Sequence, residues 1–131
     1  MRLEVDQSRK IEQSGPTVLA FSDHEHGVLL VPAHVKRRVL RWLRDQGRER
    51  RASVHMVFAA LVALLLRDVA KRANLVIIDD EYTGHRGMIK FQVLHYLHKL
   101  GIEVESEVIT FGRVGKRSPA HHLAFSVFRG Q

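Results

Sequence analysis

Residues Met56 to Leu66 form an unbroken apolar run, MVFAALVALLL. A helix that is apolar on every side is stable only where neighbouring elements cover all of its faces. The run is too short to span a bilayer, which needs about 20 such residues. The sequence therefore predicts a central buried helix. The residues around its start, Ser53 to Val57, fit either the first turns of that helix or a short strand.

Short strand-like segments surround this helix in the sequence. Before it, three such segments joined by polar turns predict an antiparallel meander: Arg2–Ile11, Thr17–Phe21 and Val28–Val31. After it, two predicted strands, Leu75–Asp79 and Val104–Phe111, alternate with helices, which favours a parallel portion of sheet. The predicted fold is one α/β domain over residues 1–131, with a mixed five-stranded sheet and helices on both faces.

The charge of the chain favours a polyanionic partner. Lys and Arg number 21 against 14 acids, and the pI is about 10.4. A surplus of this size promotes binding to nucleic acid through counterion release. Four arginines follow at helical spacings of four, three and four residues: Arg37, Arg41, Arg44 and Arg48. A second basic group precedes the last predicted helix, where a phosphate contact is expected: Arg113, Lys116 and Arg117.

The absence of cysteine excludes disulfides and thiolate metal sites and fits a reducing cytoplasm. The charged N-terminal residues do not resemble a secretory signal. The sequence thus predicts a cytoplasmic protein that binds nucleic acid and no membrane.

Three consecutive acids follow the apolar strand Val76–Ile78: Asp79, Asp80 and Glu81. Side chains alternate along a strand, so Asp79 and Glu81 are expected on one face and Asp80 on the other. If the first strand lies beside this one, Asp6 and Asp79 can face each other at the edge where parallel strands end.

Adjacent carboxylates repel unless a cation lies between them. Hard oxygen ligands suit Mg²⁺ or Mn²⁺, so Asp6 and Asp79 predict one half of a metal site. The alternative is that the acids pair with basic side chains of the following helix, Arg86 or Lys90. His85, close in sequence to these acids, is a candidate for orienting one of them.

Three short motifs, "EVDQS" (residues 4–8), "VIIDDEY" (76–82) and "SPAHH" (118–122), occur in an order that resembles the ribonuclease H-like superfamily. This superfamily includes ribonuclease H, RuvC-type resolvases and Piwi domains. The resemblance implies a ribonuclease H-like fold in which Asp6, on a central first strand, and Asp79, at the end of the fourth, hold divalent metal ions. It further implies that His121 or His122 of the last helix supports catalysis.

The sequence departs from the superfamily at one position. The helix after the third strand usually supplies a glutamate, yet residues 33–48 offer only Asp45 and residues 54–73 only Asp68. Glu81 is the candidate to replace it as a third ligand.

These patterns predict a Mg²⁺- or Mn²⁺-dependent nuclease with Asp6, Asp79, Glu81 and His122 at its site. The alternatives are a nucleic-acid-binding module without catalysis on the same fold, and an assembly protein whose basic helix docks an acidic partner. The sequence does not distinguish RNA, DNA, hybrid or junction substrates, or endonuclease from exonuclease. It leaves open a homodimer, which a resolvase would need.

Overall fold

The computed structural model describes residues 1–23, 25–114 and 119–128. The elements, in chain order, are β1 (Arg2–Ser8), β2 (Thr17–Asp23), β3 (Gly27–Val31), α1 (Ala33–Asp45), α2 (Arg50–Leu66), β4 (Leu75–Asp79), α3 (Arg86–Lys99), β5 (Ile109–Gly112) and α4 (Pro119–Phe128). Two single-turn 3-10 helices, Ala70–Arg72 and Ser106–Val108, precede β4 and β5.

The five strands form one mixed sheet in the order β3-β2-β1-β4-β5. β1 pairs antiparallel with β2 and parallel with β4, and β5 is parallel to β4. The predicted meander and the predicted parallel portion are therefore both confirmed. β1 lies at the centre of the sheet, which explains why Leu3, Val5 and Asp6 on its two faces are all buried.

Helices cover both faces of the sheet. The main core lies on one face, where Val62 and Leu66 of α2 and Val93 of α3 pack with apolar residues of the strands. On the opposite face Val18 and Ala20 of β2 pack against α4. α1 contacts α2 and leaves much of its surface exposed.

The predicted central helix is confirmed, because ten residues of α2 are buried. The structure also settles its start: Ser53 to Val57 are helical, and α2 begins at Arg50. Among the described residues, no helix is both long and apolar enough to cross a membrane.

Two predicted strands were too long, whereas β2 continues past Phe21 to Asp23 and β3 begins one residue earlier, at Gly27. β1 ends at Ser8 rather than at residue 11, because Arg9 has a φ of +64° that turns the chain out of the sheet. The last strand begins at Ile109 rather than at residue 104, since the preceding segment carries three exposed glutamates and coils into a 3-10 turn: Glu103, Glu105 and Glu107.

Candidate functional site

Three carboxylates meet where β1 and β4 end side by side. One carboxylate oxygen of each of Asp6, Asp79 and Glu81 lies within 4.8 Å of the others. Asp6 is buried, and Asp79 and Glu81 are half-buried. The parallel pairing of Val5 with Ile78 brings the next residues of both strands to the same edge. We call these three residues the acid cluster.

Backbone amides fix two members of the acid cluster. Asp6 Oδ1 accepts a hydrogen bond from the Gln7 N–H at 2.8 Å, and Asp79 Oδ1 accepts one from the Val114 N–H at 2.8 Å. The second bond joins the end of β4 to the segment that follows β5. These contacts orient the two carboxylates at the edge of the sheet. An all-oxygen donor set of this kind fits a hard divalent cation such as Mg²⁺ or Mn²⁺.

The surroundings of Glu81 disfavour its ionised form. Burial, its hydrogen bond with Asp79 and the negative charges of Asp79 and Asp6 raise the pKa of Glu81 to about 7. The Lys10 ammonium, 3.7 Å from Glu81 Oε2, opposes this rise. The acid cluster therefore exchanges a proton near neutral pH, where a bound cation would displace it.

Asp80 points away from the acid cluster and forms an ion pair with Arg86. The hydrogen bond from Arg86 lowers the pKa of Asp80. The alternation of side chains predicted for residues 79–81 is thus confirmed. Pairing with the following helix, the alternative considered for the acids, occurs at Asp80, while Glu81 pairs with Lys10 instead.

An open cavity of about 930 Å³ adjoins the acid cluster and shares Glu81 with it. His55 of α2, which is only 3% exposed, lines this cavity with its Nδ1 unpaired. Its ring lies against Tyr82, with ring centroids 5.1 Å apart, and against His85 at 4.3 Å. Burial and the charge of His85 lower the pKa of His55, so this imidazole is held neutral.

Tyr82 links this cavity to the loop between β1 and β2. Its hydroxyl accepts a hydrogen bond from the Ile11 N–H at 3.4 Å and donates one to Glu12 Oε1 at 3.3 Å. Burial raises the pKa of Tyr82, which keeps the phenol protonated. The cavity therefore combines aromatic side chains with the basic residues Arg50 and Arg51 and the acidic residues Glu12, Glu49 and Glu81.

The predicted basic residues occupy different surroundings. Arg37, Arg41 and Arg44 are exposed on α1 and line one cavity together. Arg48 does not continue this row, because α1 ends at Asp45 and Gly47, with a φ of +83°, redirects the chain. Arg48 instead lines an apolar groove between α1, α2 and α3.

The remaining predicted residues lie near the C-terminus. Arg113 is exposed, and its positive charge is close enough to Asp80 to help lower the pKa of that carboxyl. Lys116 and Arg117 lie outside the described residues. His122 is part of α4, and its side chain is also outside what the structure describes.

The sequence pattern missed three residues around the acid cluster: Lys10, Glu12 and His55. Nothing in the local sequence marks Lys10 or Glu12, since both reach the site through the loop after β1. One feature of the sequence pointed to His55: it is the one titratable side chain among the mainly apolar residues Val54 to Leu66. Asp45 and Asp68 are exposed and do not belong to the acid cluster.

Comparisons of this chain with protein-family models, with curated proteins and with solved structures found no match.

Proposed function

We propose that this chain is a Mg²⁺- or Mn²⁺-dependent nuclease on a ribonuclease H-like fold. The observation that carries the proposal is the acid cluster, three oxygen donors within 4.8 Å at the carboxyl edge of two parallel strands. The resemblance to the ribonuclease H-like superfamily implies that Asp6 lies on a central first strand and that Asp79 ends a neighbouring strand. Glu81 would supply the third carboxylate, since no helix residue in the described part of the chain belongs to the acid cluster.

The side chains of this chain have separable roles in such a reaction. Asp6 and Asp79, oriented by backbone amides, would hold the cation, which supplies Lewis-acid stabilisation of the phosphodiester when bound. Glu81 would complete the ligand set after releasing its proton, because the pKa of its carboxyl lies near 7. Arg37, Arg41 and Arg44 of α1 and Arg50 at the start of α2 would attract the polyanionic substrate.

A second candidate function, a nucleic-acid-binding module without catalysis, is favoured by Lys10. Its ammonium, 3.7 Å from Glu81, is a fixed cation that already offsets part of the negative charge of the acid cluster. In that case the acid cluster serves to hold β1, β4 and the loop after β1 together.

Cleavage of a labelled panel of RNA, DNA, RNA–DNA hybrid and four-way junction, with Mg²⁺ or Mn²⁺, tests the proposal. Asp79→Asn is the diagnostic variant and Asp80→Asn its matched control, since Asp80 is adjacent in sequence and lies outside the acid cluster. We expect metal-dependent cleavage that Asp79→Asn abolishes and Asp80→Asn retains. Binding without cleavage by the wild-type protein would contradict the nuclease and favour the binding module.

A further inference from the structure

A cavity of about 300 Å³ lies between α1 and the start of α2, away from the acid cluster. Four arginines line it together with the smaller side chains Leu40 and Ser53: Arg37, Arg41, Arg44 and Arg50. We call this the arginine pocket. Its walls come from two helices, because the turn at Gly47 brings the first residue of α2 back beside α1.

The arginine pocket has no internal counter-charge. Within residues 1–23, 25–114 and 119–128, none of its four guanidinium groups forms an ion pair. Surfaces that serve only solubility mix the two signs, since neighbouring like charges repel. Four guanidinium groups around one cavity, without an ion pair in the part of the chain that the structure describes, favour the binding of an anion from outside the chain.

The chemistry of the lining residues favours a phosphate group. A guanidinium presents a planar fork of N–H donors that matches two phosphate oxygens at once. The first turn of α2 contains no acidic residue, and its N-cap Glu49 makes no side-chain capping bond. The positive end of this 17-residue helix adds to the field of the arginines, while the negative charge of the N-cap residue Glu49 offsets part of it.

The arginine pocket adjoins the cavity beside the acid cluster, because one residue lines both. Arg50 lines both this pocket and the cavity that contains His55. Glu81 lines that second cavity and belongs to the acid cluster. A strand bound at the acid cluster and passing along this second cavity, whose lining includes Glu12 and Glu49 as well as Arg50 and Arg51, would reach the arginine pocket at Arg50.

We infer that the arginine pocket binds a backbone phosphate of the nucleic-acid strand whose reacting phosphodiester lies at the acid cluster. This inference rests on the proposed function for the identity of the strand. It assigns phosphate binding to Arg37, Arg41, Arg44 and Arg50 and excludes Arg48, which lines the apolar groove instead.

Fluorescence anisotropy of a labelled single-stranded oligonucleotide, measured in EDTA over a range of salt concentrations, tests the inference. The diagnostic variant is Arg41→Gln/Arg44→Gln. The matched control is Arg38→Gln/Arg48→Gln, which removes the same charge from exposed arginines outside the pocket. We expect the diagnostic variant to bind about tenfold more weakly, with a salt slope lower by about 0.7 for each lost phosphate contact. The control should stay within about threefold of wild type.

An equal loss of oligonucleotide affinity in the two double variants would overturn the inference. Binding would then depend on the total positive charge of the surface and not on the arginine pocket. Calorimetric titration with inorganic pyrophosphate adds a second arm. If pyrophosphate binds wild type but not Arg41→Gln/Arg44→Gln, and both bind the oligonucleotide equally, the pocket serves a free anion and the assignment to a strand fails. Arginine-dependent binding by a protein that does not cleave would support phosphate binding by the arginine pocket, while contradicting the proposed nuclease and the placement of a reacting phosphodiester at the acid cluster.

Discussion

The ammonium of Lys10 lies 3.7 Å from Glu81 Oε2, so a positive charge lies beside the three carboxylates of the acid cluster. Lys10 belongs to the loop that follows β1, which also carries Glu12. This charge stabilises ionised Glu81 and at the same time repels any cation that binds between the carboxylates. The two candidate functions therefore predict different effects of removing the positive charge of Lys10.

Lys10→Gln should strengthen Mn²⁺ binding by about fivefold at pH 8.5, because a unit charge a few ångströms away costs about 1 kcal/mol even at the dielectric constant of water. Isothermal titration calorimetry measures the change, and Lys71→Gln, an exposed lysine outside the acid cluster, is the charge-matched control. If Lys10 is instead the permanent cation of a structural cluster, the variant will lose stability and bind no Mn²⁺.

Glu81 should make the metal-free protein less stable as the pH rises. Its pKa is raised from 4.5 to about 7 on folding, so the folded state holds a proton that the unfolded state has released. The resulting stabilisation is complete below pH 4.5 and is lost as the pH rises through 7. Urea unfolding in EDTA should show Glu81→Gln gaining on the order of 1 kcal/mol over wild type between pH 5 and pH 8, after allowance for solvent screening.

The same proton links metal binding to pH. A cation at the acid cluster must displace the proton of Glu81, so its affinity should rise with pH until Glu81 is ionised. The rise in Tm produced by Mn²⁺ should therefore be larger at pH 8 than at pH 6 in the wild-type protein. In Glu81→Gln this pH dependence should be weaker, and an unchanged dependence would remove Glu81 from the ligand set.

The meeting of Asp6 and Asp79 follows from the sequence because the carboxyl ends of adjacent parallel strands share one edge of the sheet. Glu81 follows from the alternation of side chains. Lys10 and Glu12 could not be predicted, since their positions depend on a loop held by the distant residue Tyr82. The separation of Arg48 from the other arginines required the turn geometry at residue 47, which helical spacing alone does not include.

His55 should make the protein sensitive to acid. Burial, followed by the charge of His85, lowers the pKa of His55, so below pH 6.5 the unfolded state takes up a proton more readily than the folded state does. The stability contributed by neutral His55 is lost as the pH falls. His55→Phe keeps an aromatic ring beside Tyr82 and removes the unpaired Nδ1.

Urea unfolding of His55→Phe should therefore show a shallower loss of stability between pH 7 and pH 5 than the wild-type protein shows. Protonation of Glu81 stabilises the protein over part of this pH range, which opposes the effect of His55. The test is therefore the difference in free energy of unfolding between His55→Phe and wild type at each pH. The exposed His26→Phe is the control. Parallel curves for wild type and His55→Phe would mean that His55 is protonated as easily in the folded state as in the unfolded one.

Lys36 of α1 should be essential for the position of the loop between β1 and β2. Only 3% exposed, it donates from Nζ to the Gln13 carbonyl oxygen at 2.7 Å and to Thr17 Oγ1 at 2.9 Å. A longer bond of 3.4 Å reaches the carbonyl oxygen of Lys10 itself. Lys36→Met preserves the methylene stem but removes the ammonium donor from the Gln13 carbonyl oxygen and from the buried Thr17 Oγ1, while the Lys10 carbonyl oxygen keeps the Gln13 N–H at 3.1 Å.

This substitution should lower the free energy of unfolding by about 3 kcal/mol, because hydrogen bonds to a buried charged group are lost. Arg38→Met, on the exposed side of the same helix, should change it by less than about 0.5 kcal/mol. Combining Lys36→Met with Thr17→Val should cost less than the sum of the two single changes, because both remove the same hydrogen bond. Additive losses would show that the ammonium of Lys36 does not hold the loop through Thr17.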